Sequence, residues 1–322
     1  MNALNNTWTW QGRVDAVEGE LGTRWHQRMQ RAQADNLNQA IALVGFNCDA
    51  GVARNHGRVG AAQGADAVRA MLGSMPVHEA KQLVDVGNVL CEGDAMEAAQ
   101  AQLSAVVAEL LQHHAFPVVI GGGHEIAYGT FGGLAQHLSA VERPRIGIVN
   151  LDAHFDLRLN ENAQGSSGTP FRQIADDCAA RGWDFNYCCL GVSRFANTAA
   201  LFQRADALGV TWRLDDDMGV TQLNETLNVL HEFLALVDHV YFTIDLDVLP
   251  AAVMPAVSAP AACGVALSVV EAVLDAVVAS GKLRLADLAE FNPKYDVDQH
   301  GARAAARLVA RLANAVARLS AI

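Results

Sequence analysis

The sequence predicts an α/β fold on a mostly parallel sheet covered by helices on both faces. Three observations carry that expectation. Short apolar runs recur along the chain at 40–46 (AIALVGF), 116–120 (FPVVI), 146–151 (IGIVNL), 187–192 (YCCLGV), 239–244 (HVYFTI) and 283–289 (LRLADLA). A strand buried on both faces reads as such a continuous run, not as an alternation. Helical patterns lie between the runs, and strands alternating with helices imply parallel pairing. Aromatics make up only 6% of the chain while Ala, Val and Leu abound, a composition suited to helices packed closely on a sheet.

In order along the chain, residues 1–36 are polar and irregular, with Trp8, Trp10 and Trp25 spaced through them. They are expected to form an N-terminal arm laid over a globular body. The clearest helix follows Asp94, an expected N-cap, with Met96, Ala99, Leu103, Val106, Val107, Leu110 and Leu111 on one stripe. Helices are also expected over 266–280 and 301–319, the last with basic residues marking a solvated face. His113 and His114 close the first of these helices, where a cation favours the dipole. No linker, repeat or low-complexity stretch divides the remainder, so residues 37–322 are expected to form a single domain.

The formal charge of −12 and the lack of a Lys/Arg run argue against a nucleic-acid or anionic-membrane partner. No window reaches the ~18 uncharged apolar residues of a membrane span; even the apolar 265–280 region carries Glu271 and Asp275. The first residues lack the basic end and apolar stretch of a signal peptide. The six cysteines show no C-x-x-C pair, and neighbours such as Cys188 and Cys189 point to opposite faces of a strand. A reduced, cytoplasmic protein is the expectation.

Ligands in open sheets of this kind bind at the carboxyl ends of the strands. There FPVVI runs into GGGHE, placing His124 just past a strand, and IGIVNL runs into Asp152, His154 and Asp156. VYFTI runs into Asp245 and Asp247, and LADLA into Glu290. Spacings of i, i+2 and i+4 converge if the chain stays extended. Four clustered carboxylates would repel one another unless cations offset them; two dications would cancel the four charges. Carboxylates and imidazoles without thiolates suit a metal such as manganese, and the set suffices for two ions roughly 3.5–4 Å apart. Singly, each motif has a plainer explanation. GGGHE lacks the spacing and Lys of a phosphate loop, an isolated D-x-H-x-D is compatible with turn chemistry, and a lone Glu290 would be an ordinary loop residue. Their coincidence at four strand ends is what points to a metal centre.

On GGGHE (121–125), NLDAHFDLR (150–158) and TIDLDVLP (243–250), the chain resembles the ureohydrolase family, which includes arginases, agmatinases and formimidoylglutamases. The likeness runs from about residue 40 to 295. It implies a three-layer α/β/α sandwich, arginase-like, with two Mn2+ per subunit. By the same resemblance His124 and Asp156 complete one metal site, His154 and Asp247 the other, and Asp152 and Asp245 serve both. Glu290 matches the acid that pairs with the amidine or guanidine group, and Asp156 a general acid. Family members are commonly trimers or hexamers, so a homo-oligomer is expected.

The guanidine-cleaving members usually carry His before the Gly of a G-T-P-F-like segment; here Ser167 stands there, in SSGTPFRQ. That segment, LDAHFDLR and GVARNHGRVGAAQGADAVR (51–69) look like formimidoylglutamase. The resemblance then implies cleavage of N-formimidoyl-L-glutamate to L-glutamate and formamide in histidine degradation. A guanidino-acid or agmatine ureohydrolase, or a metal-binding homologue without catalysis, stands as the alternative. Charge favours an anionic amidine: a cation ~6 Å from a carboxylate, at an effective dielectric of 20, is worth about 3 kcal/mol. Arg158, Arg172 and Arg194, with Ser167 and Asn197, are the expected substrate contacts.

Overall fold

The computed structural model describes Leu4 and residues 8–78, 81–160 and 164–319. Among these residues nine strands form one sheet: β1 (Met29–Arg31), β2 (Ile41–Asn47), β3 (Leu83–Leu90), β4 (Phe116–Ile120), β5 (Ile146–Leu151), β6 (Asn186–Val192), β7 (Thr211–Leu214), β8 (His239–Asp245) and β9 (Leu283–Ala289). Every neighbouring pair is parallel, in the spatial order β1-β3-β2-β4-β9-β8-β5-β6-β7. The helices are α1 (Trp25–Arg28), α2 (Ala50–Arg54), α3 (Gly64–Gly73), α4 (Met96–Gln112), α5 (Ile126–His137), α6 (Pro170–Arg181), α7 (Ala199–Ala207), α8 (Leu223–Ala235), α9 (Leu267–Ala279) and α10 (His300–Leu319).

Alternation along the strands divides the core in two. Val118 and Ile120 of β4, with Cys188 and Leu190 of β6, pack with α3, α8, α9 and α10. Val119, Tyr187 and Cys189 turn the other way, toward α4, α5, α6 and α7. The result is the expected three-layer α/β/α sandwich. Cys188 and Cys189 therefore lie in different layers, and all six cysteines are free. None of the described helices is long and apolar enough to cross a membrane.

Six strands coincide with the apolar runs; three do not. β3 (LVDVGNVL) is buried almost throughout, yet its run is broken by Asp85 and Asn88. Both serve the buried Arg69 of α3, which donates to Asp85 Oδ2 at 3.0 Å and Oδ1 at 2.9 Å, and to Asn88 Oδ1 at 2.6 Å. β1 and β7 are short edge strands. β1 falls within the polar N-terminal stretch, where Trp25 is fully buried in the core. Asp94 is not the cap of α4: Ala95 holds that position, and the Asp94 carboxylate accepts from Arg54 Nε at 2.9 Å instead. On α10, the basic face is partly paired, with Arg311 Nη1 donating to Glu271 Oε2 of α9 at 3.1 Å.

After β4 the chain crosses over β9 and β8 to build β5, then grows outward through β6 and β7. That reversal leaves a crevice at the carboxyl ends of four adjacent central strands, β4, β9, β8 and β5.

Candidate metal centre

The four central strands deliver the expected residues to one place. β4 ends in the glycine run, where Gly122 has φ +81° and a Cβ would meet the Cys48 carbonyl at 2.9 Å. Only glycine lets the backbone pass there. Gly122 O then accepts from Glu290 N–H at 2.8 Å, while Glu290 Oε1 accepts from His124 N–H at 3.1 Å. The ends of β4 and β9 are thus tied together. Glu290 and Asp156 both adopt left-handed backbone (φ +71° and +48°), a conformation that non-glycine residues hold where the surroundings over-determine it.

Convergence of the carboxylates does not come from continued extended chain. β5 stops at Leu151, and Asp152 Oδ1 accepts from His154 N–H at 2.6 Å. β8 stops at Asp245, whose Oδ1 accepts from Asp247 N–H at 2.8 Å. In both places the first aspartate bonds to the backbone two residues on and so turns the chain inward. Asn150 adds a hydrogen bond to Asp152 Oδ2 at 2.9 Å and another to the Tyr187 hydroxyl, also at 2.9 Å.

Two groups of side chains result whose donor atoms lie within 4.8 Å of one another: His124, Asp152, Asp156 and Asp245, and Asp152, His154 and Asp247. Asp152 belongs to both. Asp245 falls with the first group only. His124 supplies the sharpest indication. Its buried Nδ1 stands 3.0, 2.9 and 3.1 Å from oxygens of Asp152, Asp156 and Asp245, yet hydrogen-bonds to none of them. A nitrogen aimed into a ring of carboxylate oxygens without hydrogen-bond geometry fits the ligand of a cation. His154 Nδ1 lies 2.9 Å from Asp247 Oδ2.

The electrostatics agree. Burial works against charge on both imidazoles, but the surrounding aspartates outweigh it and hold their pKa values well above the usual range. Burial, reinforced by Asp152, pushes Asp156 up to about 6. Burial, then Glu125 and Asp247, pushes Glu290 up to about 8. Asp245 and Asp247 are raised by burial and by neighbouring carboxylates. The pocket is short of positive charge, as a dication site should be.

The centre opens into a cleft of about 270 Å³ whose lining includes His154, Asp156, Arg158, Ser167 and Glu290. Beyond it lies a second space of about 600 Å³ that shares Asn55, His56, Arg158 and Leu201. Arg158 is exposed and lies across Gly168, where an added Cβ would meet its Cδ at 2.9 Å. No side-chain hydrogen bond or ion pair holds its guanidinium among the described residues. Ser167 is buried in the wall of the same cleft.

Three expected substrate contacts fare differently. Arg172 does not line the cleft; it points from α6 to Asp176, one turn on, with Nε and Nη2 bonded at 3.0 and 2.8 Å. Arg194 lies outside the cleft as well, its guanidinium 5.9 Å from the Phe202 ring centre. Asn197 reaches the cleft, but its amide serves the backbone of the Asp152–Asp156 turn. Its Oδ1 accepts from Phe155 N–H at 3.1 Å, and its Nδ2 donates to Ala153 O and Ser193 O at 2.9 Å each. Asn55, His56 and Ser258, which also line the cleft, were not among the expected site residues. The segment GVARNHGR carried two of them. Ser258, two hundred positions from Arg58 whose N–H it accepts, had no local signal.

A family model described as the Arginase family matches residues 39–314. Over 311 residues the chain is 60% identical to a formimidoylglutamase of Ralstonia nicotianae, covering 96% of this chain and 95% of that protein. A formimidoylglutamase of Aeromonas hydrophila is 54% identical over 304 residues, covering 94% and 96%. Among solved structures, a Trypanosoma cruzi formiminoglutamase with Mn2+ matches at a TM-score of 0.79 and 23% identity, covering 92% of this chain and 98% of that one. A Bacillus subtilis formimidoylglutamase matches at 0.82 and 19%, covering 92% of each. The two structures share the fold. With a family model spanning most of its length and relatives this similar over nearly all of it, the chain belongs to the arginase family.

Proposed function

We propose that this protein hydrolyses N-formimidoyl-L-glutamate to L-glutamate and formamide, using two Mn2+ held by His124, Asp152, His154, Asp156, Asp245 and Asp247. The observation that carries the metal-dependent chemistry is the bare Nδ1 of His124 within three carboxylates. The substrate rests on the curated relatives named formimidoylglutamase and on Arg158 at the cleft, whose guanidinium has no partner among the described residues.

A pair of dications bound there would supply Lewis acidity and activate water near neutral pH. Glu290, fixed by the His124 N–H, accepts from the amidinium N–H groups and holds the formimino carbon against the centre. Arg158 pairs with a substrate carboxylate, which places the amidine inward. Water adds its oxygen to the formimino carbon, and the bond from that carbon to the glutamate nitrogen breaks. Asp156 takes a proton from that water and delivers it to the departing amine. The oxygen and the remaining nitrogen leave together as formamide. The six free thiols accord with a reducing cytoplasm.

Manganese-loaded protein assayed in parallel with N-formimidoyl-L-glutamate, guanidinobutyrate, agmatine and arginine tests the proposal. Glutamate and formamide from the first, with no urea from the others, is the expected result. Urea from a guanidino compound, without glutamate release, would overturn the substrate and keep the metal centre.

A further inference from the structure

The second space, of about 600 Å³, differs from the inner cleft in charge. The inner cleft is walled by Asp156, Asp245, Asp247 and Glu290. The described lining of the outer space holds no carboxylate; it holds Arg54, Arg158 and Arg204, in a chain whose formal charge is −12. Arg54 is spent on neighbours, with Nε donating to Asp94 Oδ1 at 2.9 Å and Nη1 to Glu97 Oε1 at 2.6 Å. Arg204, partly buried on α7, is not. Its Nη1 donates to the Leu157 carbonyl at 2.7 Å, and among the described residues no acid is paired with it. One such bond leaves most of the five N–H donors of a guanidinium for a ligand.

Arg158 and Arg204 stand in a fixed order along the cleft. Arg158 lines both spaces. On α7, Leu201 also lines both, while Arg204, three residues on and so on the same helix face, lines only the outer one. Both arginines are placed by one stretch of chain. Leu157 supplies the carbonyl that holds Arg204, and the next residue, Arg158, donates its N–H to Gly168 O at 2.9 Å. A Cβ at Gly168 would meet Arg158 Cδ at 2.9 Å and Asn55 Nδ2 at 3.2 Å. The bare glycine therefore lets an amide donor lie beside the arginine stem. Outward from the candidate metal centre, the order is carboxylates, then Arg158 with Asn55, then Arg204. N-formimidoyl-L-glutamate has the complementary order. Its amidine comes first, then a carboxylate on the carbon that carries the amidine nitrogen, then a second carboxylate further along the chain.

We infer that Arg204, in the outer space, is the subsite for the far carboxylate of a dicarboxylate substrate, while Arg158 and Asn55 hold the near one. The inference rests on the proposed substrate and deepens it, because a monocarboxylate can engage only one of the two anchors. The planar guanidinium fork suits a carboxylate, and a hydrogen bond to a charged group in a partly buried site is worth roughly 10-fold in affinity.

Steady-state kinetics of manganese-loaded wild type, Arg204→Met and Arg204→Lys test it, with thermal unfolding to confirm that each is folded. Each protein is assayed with N-formimidoyl-L-glutamate and with N-formimidoyl-L-2-aminobutyrate, which lacks only the far carboxylate. Arg204→Met should raise KM for the dicarboxylate roughly 10-fold, with kcat within about threefold. Its KM for the monocarboxylate should match wild type. Arg204→Lys keeps the charge and should return KM for the dicarboxylate to within about threefold of wild type; if the methionine variant does not fold, a lysine KM raised on the dicarboxylate alone supports the subsite. An equal loss on both substrates would mean that Arg204 only braces Leu157, and it overturns the subsite. An unchanged KM for the dicarboxylate in Arg204→Met overturns it as well, while wild-type turnover leaves the proposed function standing. A wild type that turns over neither substrate overturns both.

Discussion

Arg158 offers the most direct test of how this site selects its substrate. Methionine at this position keeps a stem to lie across Gly168 and removes only the charge. Among the described residues the guanidinium has no hydrogen-bond or ion-pair partner to release, so the change registers as lost attraction for substrate. At ~6 Å and an effective dielectric of 20, the interaction with one carboxylate is worth about 3 kcal/mol. Arg158 is exposed, and doubling the dielectric to allow for solvent halves that to about 1.4 kcal/mol. The Arg158→Met variant should therefore show a KM for N-formimidoyl-L-glutamate raised roughly 10–100-fold, with kcat within about threefold, the signature of binding that is equal in ground and transition states. An N-alkyl formamidine without carboxylates should be turned over equally by both proteins. Raising the ionic strength should shrink the difference, because an exposed pair is screened. An unchanged KM at low salt, or an equal loss on the uncharged formamidine, would refute Arg158 as the carboxylate anchor.

Three further outcomes follow from the same structure. Asp245→Ala should lower Mn2+ binding and reduce turnover more than about 100-fold, since losing even an outer partner costs up to that much; full activity with two bound ions would refute the ligand assignment. Arg69→Met should destabilise the protein by about 3–5 kcal/mol in urea unfolding, because it breaks the buried Arg69–Asp85 ion pair from one side. Asp85→Asn added to that variant should recover part of the loss, and simple additivity of the two changes would contradict the coupling. The His239 pKa is lowered by burial and by Arg284, whose Nε donates to its Nδ1 at 3.1 Å. Its contribution is therefore present above the ordinary histidine pKa and lost as pH falls through the lower folded value. Thermal unfolding from pH 7.5 to 5 should show a shallower decline in His239→Asn than in wild type; parallel curves would remove His239 from the acid response.

The central strands were legible because each is buried on both faces and so reads as an unbroken apolar run. β3 was not: Asp85 and Asn88 interrupt it to accept hydrogen bonds from Arg69, and that partnership spans sixteen and nineteen positions. β1 and β7 are too short and too incompletely buried to carry a pattern. At the site, the acids and imidazoles at strand ends announced themselves, but the way they converge did not. Asp152 and Asp245 turn the chain through bonds to the backbone two residues on, where continued extension was expected.

The arginines show the same boundary. Arg172 lay four residues before Asp176 on a helix, a spacing that already signals an ion pair, and the structure makes that pair. Arg158 and Arg194 both follow strands, yet only Arg158 reaches the cleft, because side-chain direction depends on packing from elsewhere in the chain. Residue type and periodicity, which are local, were enough for the α/β class and for the candidate metal-ligating residues, and the motifs GGGHE, NLDAHFDLR and TIDLDVLP for the family. Tertiary structure alone decided which charges face the cleft and which are spent on neighbours, because those outcomes depend on groups the sheet brings together from distant parts of the sequence.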